Sequence, residues 1–221
     1  MAIARSQIII LEVVRTDSMN SVVLNLEPIA HLSDEQFYQL CVANCDLSLE
    51  MSAAGELIIV PPVGGESGNR EADLITDLNN WNRQTELGKV FSSSTIFILP
   101  NGAKRSPDAA WVKLARWEAL TPEQRKKFPP LVPDFAIELR KVRCGGSPRC
   151  STFSRERSET DRLQTIQAKM QEYIENGLRL GWLINPQDQQ VEIYRSQAVE
   201  VVQMPAILSG EDVLPGFELP V

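Results

Sequence analysis

Two acidic residues and one lysine occupy positions that hydrolytic chemistry could use. Asp108 lies in SPDAAWV, at the mouth of an apolar strand, and Glu138 lies in PDFAIELR, near the end of another. Both strands are hydrophobic enough to run inside a sheet. A carboxylate on such a strand is costly to desolvate unless it is paired or binds a cation. Two of them on adjacent strands form a compact oxygen site suited to magnesium, which activates a water and neutralises charge building on a phosphate. Lys169 lies in a helical pattern whose buried face is Leu163, Ile166, Met170, Tyr173 and Ile174. Three residues after Ile166 and four before Tyr173, it sits on the shoulder of that face. Each of the three also has a plainer role. Asp108 follows Pro107 and could cap a turn; Glu138 could pair with Arg140, two residues on and on the same strand face. Lys169 could pack its stem and reach water.

Other chemistries find little material. The single histidine, His31, stands just before a helix-capping sequence and far in sequence from any candidate nucleophile. There is no phosphate-binding GxxxxGK[ST] loop and no GxGxxG fingerprint, and the glycine-rich GGESGNR lacks the lysine that would reach a phosphate. Cys41 and Cys45 are helical neighbours, while Cys144 and Cys150 flank GGSPR. No CxxC pair exists, so free thiols are expected rather than zinc ligands. What remains is carboxylate and lysine chemistry.

The elements that must position these residues follow from pattern. The chain has 221 residues, 43% of them hydrophobic and 23% charged, the balance of a globule with a core. One domain over residues 31–221 is expected, with residues 1–30 as an N-terminal extension. Ser33-Asp34-Glu35-Gln36 is a capping box that opens a helix to about Val42. Leu47–Met51 and Glu56–Val60 form a hairpin around Ala53-Ala54-Gly55. A helix over Asn69–Leu87 carries Leu74, Ile75, Leu78 and Trp81 as its apolar stripe and stops at Gly88. Strands are expected at Val90–Leu99, Asp108–Val112 and Asp134–Leu139, with a second capping box at Thr121-Pro122-Glu123-Gln124. The Lys169 helix runs from Glu159 to Asn176 and ends at Gly177. Strands at Gly181–Asn185, Val191–Arg195 and Val199–Met204 follow. This order gives an α/β fold with a mixed central sheet. The net charge of −7 argues against tight non-specific binding of nucleic acid. No segment is apolar for long enough to span a membrane, so no membrane association and a cytoplasmic location are expected.

Residues 141–157 differ from their surroundings. The stretch KVRCGGSPRCSTFSRER lacks apolar periodicity and carries Lys141, Arg143, Arg149, Arg155 and Arg157 against the single acid Glu156.

Asp108, Glu138 and Lys169, in this order of elements, resemble the PD-(D/E)XK nuclease superfamily, and more closely its Uma-type putative restriction endonuclease branch. The stretches that carry the resemblance are LSDEQFYQL, LEMSAAGELIIVPPVGG, FILPNGAKRSPDAAWV, PDFAIEL, KMQEYIENGLRLGWLINP and LPGFEL. The resemblance implies a restriction-endonuclease-like fold, a central mixed sheet flanked by helices. It implies that Asp108 and Glu138 bind Mg2+ or Mn2+ and that the chain cleaves DNA as a metal-dependent endonuclease. A homodimer is expected because many nucleases of this superfamily work in pairs. The superfamily's lysine normally falls two residues after the second acid. Here that position is Arg140, which can hold a phosphate but cannot act as a base, so the resemblance points to Lys169 for the lysine. An early helix often adds another acid; Glu71 and Glu50 are both candidates. Relative to the family pattern, residues 141–157 are a basic insertion: a lid over nucleic acid, a disordered surface insertion, or one that displaces the lysine helix and abolishes activity. The rival reading is a catalytically inactive nuclease-fold protein that binds nucleic acid or a protein partner.

Overall fold

The computed structural model describes residues 13–14, 22–26, 31–141 and 152–221, with only the backbone course for 13–14 and 152–162. Two short strands, β1 (Val13–Val14) and β2 (Val22–Leu24), precede helix α1 (Asp34–Ala43). Ser33 caps α1 through the expected box: its hydroxyl accepts from the Gln36 amide at 3.2 Å, and the Gln36 side chain accepts from the Ser33 amide at 2.8 Å. The hairpin follows as β3 (Ser48–Met51) and β4 (Leu57–Val60). Strand β2 pairs with β4, so this part of the N-terminal extension joins the hairpin's sheet.

Helix α2 (Gly65–Thr85) begins four residues before its expected start. Gly64 takes the extended cap conformation, and Glu66 lies in the first turn, where the helix dipole favours a negative charge. The glycines of GGESG are thus absorbed into a helix rather than a loop. The helix ends at Glu86 in the left-handed region, φ 53°, and Gly88 instead opens β5 (Gly88–Ser92). The long strand expected over Val90–Leu99 is two strands. A polar turn closed by the Thr95 amide and the Ser92 carbonyl separates β5 from β6 (Phe97–Ile98).

Next come β7 (Lys104–Arg105), β8 (Ala109–Lys113), α3 (Leu114–Glu118), α4 (Pro122–Lys126) and β9 (Phe135–Leu139). Helix α5 (Thr152–Glu175) starts seven residues earlier than expected, so residues 152–157 of the basic stretch are helical; residues 142–151 lie outside the described residues. Strands β10 (Leu180–Asn185), β11 (Gln190–Arg195) and β12 (Ala198–Gln203) match their expected places. A short pair, β13 (Ile207–Ser209) and β14 (Glu218–Pro220), ends the chain.

The strands form two six-stranded sheets. One is antiparallel, ordered β1-β2-β4-β3-β7-β6. The other is the expected mixed sheet, ordered β12-β11-β10-β9-β8-β5, with β9 and β10 parallel and every other pair antiparallel. Alternation along its strands builds two cores. Phe135, Ile137 and Leu139 of β9 face α2 and the C-terminal segment, with Trp111, Trp182 and Phe217. Ala136 faces the other way, toward Met170 and Tyr173 of α5. Glu138 shares that second parity. A third core packs Phe37 of α1 against Leu49, Met51 and Leu57 of the antiparallel sheet. At Gly181 a Cβ would lie 2.4 Å from Met170 Cε, so a glycine there lets α5 settle close over β10.

Candidate active site

The mixed sheet's register sets the two predicted carboxylates side by side. In the β8–β9 ladder Ala109 faces Ile137 and Ala110 faces Ala136. One step further, past the end of β8, the same register puts Asp108 opposite Glu138. The Leu139 amide donates to Asp108 Oδ2 at 2.8 Å, which fixes the aspartate at the strand end. Both acids are buried, at 5% and 6% exposure.

Lys169 reaches this pair from α5. Its Nζ lies 2.8 Å from Glu138 Oε1 and 2.9 Å from Glu50 Oε1, and donates to the Ser106 carbonyl at 3.1 Å. The helical shoulder inferred from sequence is therefore turned inward over the sheet. Tyr173, one turn on, donates from its hydroxyl to Glu138 Oε1 at 3.2 Å.

Glu50 and Glu71 both reach the cluster. Glu50, in β3 of the antiparallel sheet, accepts from the Ser106 amide at 3.0 Å and pairs with Arg105 at 3.3 Å. Arg105 also holds Glu172 of α5 at 2.6 Å. Glu71, on α2, accepts from the Ser93 hydroxyl, and Ser106 donates from its own hydroxyl to the Ser93 carbonyl. Residues 105–108 thus carry the chain from one sheet to the other and tie the acids of both together.

Lys141 is the participant that sequence reading missed, because it was grouped with the basic stretch. Its Nζ lies 2.6 Å from Asp108 Oδ1 and 3.2 Å from Glu71 Oε2. Its only sequence signal is its place three residues after Glu138. Arg140 goes elsewhere. Its guanidinium bonds Asn185 at 3.2 Å and Asp188 at 2.6 Å, in the turn between β10 and β11. Strand alternation would give it the parity of Glu138, but β9 ends at Leu139 and the arginine side chain follows the neighbouring hairpin. Of the other residues weighed from sequence, Cys41 and Cys45 are free thiols, while Cys144 and Cys150 lie outside the described residues.

Burial and mutual repulsion act strongly on these groups. Desolvation pushes Glu138 up to about 7; the Lys169 ammonium opposes it, while Asp108 and Glu50 add to it. Desolvation also raises Asp108, against the pull of Lys141. Glu50 feels the same desolvation, yet Lys169 and Arg105 together bring it below the ordinary carboxylate value. Despite their own desolvation, the surrounding carboxylates raise Lys141 and carry Lys169 well above the usual lysine value, so both ammoniums keep their charge.

The donor chemistry fits a hard divalent cation. Glu50, Glu71, Asp108, Glu138 and Glu172 stand against Arg105, Lys141 and Lys169, which leaves two negative charges when all are ionised. Carboxylate oxygens are the ligands magnesium and manganese prefer. In this arrangement no three acidic, cysteine or histidine side chains among the described residues converge on one metal position. The lysines stand between them: Lys169 joins Glu138 to Glu50, and Lys141 joins Asp108 to Glu71.

The sequence pattern of the Uma2 family, described as "Putative restriction endonuclease", matches residues 34–142 and 157–221 and passes over residues 143–156, inside the basic stretch. A crystal structure described as a putative nuclease belonging to DUF820, from Anabaena variabilis, superposes with a TM-score of 0.63 at 18% sequence identity. The alignment covers 86% of this chain and 94% of that one. At that identity the likeness speaks for the fold, which is the restriction-endonuclease-like arrangement expected from sequence. No curated protein matches the chain. The matched stretches take in both candidate metal carboxylates, Lys169 and most of the polypeptide, and the chain belongs to the Uma2 putative restriction endonuclease family.

Proposed function

We propose that the chain is a divalent-metal-dependent nuclease that hydrolyses phosphodiester bonds in DNA. The observation that supports this best is the union of Asp108, Glu138 and Lys169. Two buried carboxylates lie one step beyond the last β8–β9 pair, and a largely buried ammonium from a third element lies 2.8 Å from one of them. Membership of a family described as "Putative restriction endonuclease" supports the choice of DNA.

In this reading Asp108 and Glu138 hold Mg2+ or Mn2+, joined by Glu71 or Glu50. When bound, the cation supplies a polarised water and offsets charge on the phosphate. The Leu139 amide holds Asp108 in place, and the Tyr173 hydroxyl holds Glu138. Lys169 has three protons to give. It orients the attacking water and offsets the charge that gathers on the phosphate oxygens. Its charge persists at neutral pH, so it acts as a donor and not as a base. Arg105 keeps Glu50 and Glu172 in place and so fixes the floor beneath Lys169.

One observation favours a second reading, a nuclease fold that binds nucleic acid or a protein without cleaving it. Both acid pairs are already bridged by lysine. Cleavage of plasmid and single-stranded DNA with Mg2+ or Mn2+ separates the two readings. The nuclease reading expects cleavage by the wild type and its loss, by about a hundredfold or more, in Asp108→Ala and Lys169→Ala. Binding of DNA without cleavage under any metal would leave the second reading standing.

A further inference from the structure

Asp108 and Glu71 come from different elements, the crossing segment before β8 and helix α2, and one ammonium joins them. Lys141 and Lys169 play matching parts, but they are held differently. Lys169 projects from a long helix, donates to a backbone carbonyl as well as to two acids, and lies over the Tyr173 ring. Lys141 lies beyond the last ladder bond of its strand, which the Arg140 amide makes to the Ile184 carbonyl. Its side chain is 24% exposed, against 15% for Lys169.

We propose that Lys141 is a displaceable counter-cation, whose ammonium fills the position between Asp108 and Glu71 that a divalent cation takes on binding. This rests on the metal-dependent reading above. The two side chains are only 7% and 14% exposed, and two carboxylates so placed are not left without a positive partner. The lysine supplies that partner when metal is absent. Both cations cannot share the position. Magnesium draws its oxygens to about 2.0–2.1 Å, inside the 2.6 and 3.2 Å at which the ammonium now holds them. A metal ion there would repel the ammonium at close range. The lysine has a route out: a flexible four-carbon stem carries its charge, and its side chain is already 24% exposed. Once released, the ammonium is free for a phosphate oxygen, so the residue that guards the empty site becomes a contact for the anionic substrate.

The test is calorimetric titration of Mn2+ into the full-length protein, comparing wild type with Lys141→Met, Lys141→Gln and Asp108→Asn. Melting temperatures are measured with and without Mn2+. If Lys141 competes with the metal, both lysine variants bind Mn2+ at least threefold more tightly than wild type. They melt lower than wild type without metal and gain more on adding it, while Asp108→Asn loses the site. A variant that folds only when Mn2+ is added supports the proposal in the same way. Binding by the lysine variants that is weaker, or tighter by less than threefold, overturns the counter-cation and leaves the metal reading intact. Variants that stay unfolded at millimolar Mn2+ also overturn it. No Mn2+ binding by wild type or by either lysine variant removes the metal reading and this inference together.

Discussion

Lys169 stands 2.9 Å from Glu50 and 2.8 Å from Glu138, and these two acids belong to different sheets. One ammonium on α5 therefore pins the antiparallel sheet to the mixed sheet at the point where the chain crosses between them. The pinning makes a prediction about stability that is separate from catalysis. Removing one partner from a buried ion pair leaves an uncompensated charge and costs about 3–5 kcal/mol. Lys169→Met should lose that much in urea unfolding without metal. Glu50→Gln in the Lys169→Met background should cost far less than it does alone, with a coupling of about 1 kcal/mol or more. Additive effects of the two changes would mean that the bridge does not join the sheets.

The parts of this cluster that were legible in the sequence are those with a local signature. Asp108 and Glu138 stand out because apolar strands flank them, and Lys169 because a period of 3.6 places it beside Met170 and Tyr173. Lys141, Ser93 and Ser106 have no such mark. Their partners come from segments far apart in sequence, and an arginine- and glycine-rich neighbourhood hides Lys141. The mixed sheet was legible because its central strands are runs of five or six residues, apolar for most of their length. Strands β6 and β7 are two residues each, too short for any period, and the antiparallel sheet they complete went unforeseen. The start of α2 was missed because glycine is a poor helix former. Packing of Leu74, Leu78 and Trp81 outweighs that penalty in the fold.

The raised pKa of Glu138 gives the metal-free protein a stability that depends on pH. In the folded state the group titrates near about 7, against 4.5 for an ordinary glutamate. The folded protein therefore holds this proton over a range where the unfolded chain has lost it. The stability it contributes is complete below the ordinary value and is lost as pH rises through the folded value. Asp108 is raised as well and adds in the same direction. Glu50 is lowered, so its effect falls below the ordinary carboxylate range and outside this window. Lys141, Lys169 and Tyr173 are all raised, and they titrate far above it. In EDTA, unfolding free energy should fall between about pH 5 and pH 8. Glu138→Gln should lack most of that fall. A wild-type profile that is flat or rising across this interval would rule out a buried, repelled Glu138.

Arg140 offers the sharpest contrast between what position in the motif suggests and what packing permits. It stands two residues after Glu138, where the superfamily pattern places a lysine, yet its guanidinium bonds Asn185 and Asp188 in the β10–β11 turn. Asp188 is half exposed, so solvent weakens the pair, and the arginine stem is buried at 7%. Arg140→Met keeps most of the stem and removes the charge. It should lower stability by about 1.5–3 kcal/mol, the range for a hydrogen bond to a charged group. Mn2+ affinity should be unchanged, because neither bond touches Asp108 or Glu138. If cleavage is observed, kcat for Arg140→Met should stay near wild type while Lys169→Met loses its activity, because Lys169 on α5 donates to Glu138 and Glu50 whereas Arg140 bonds Asn185 and Asp188 in the β10–β11 turn. A variant that keeps its stability but loses cleavage would instead return Arg140 to the substrate, with the guanidinium swinging from Asp188 to a phosphate once DNA is bound. Unfolding and cleavage measured on the same preparation decide between the two.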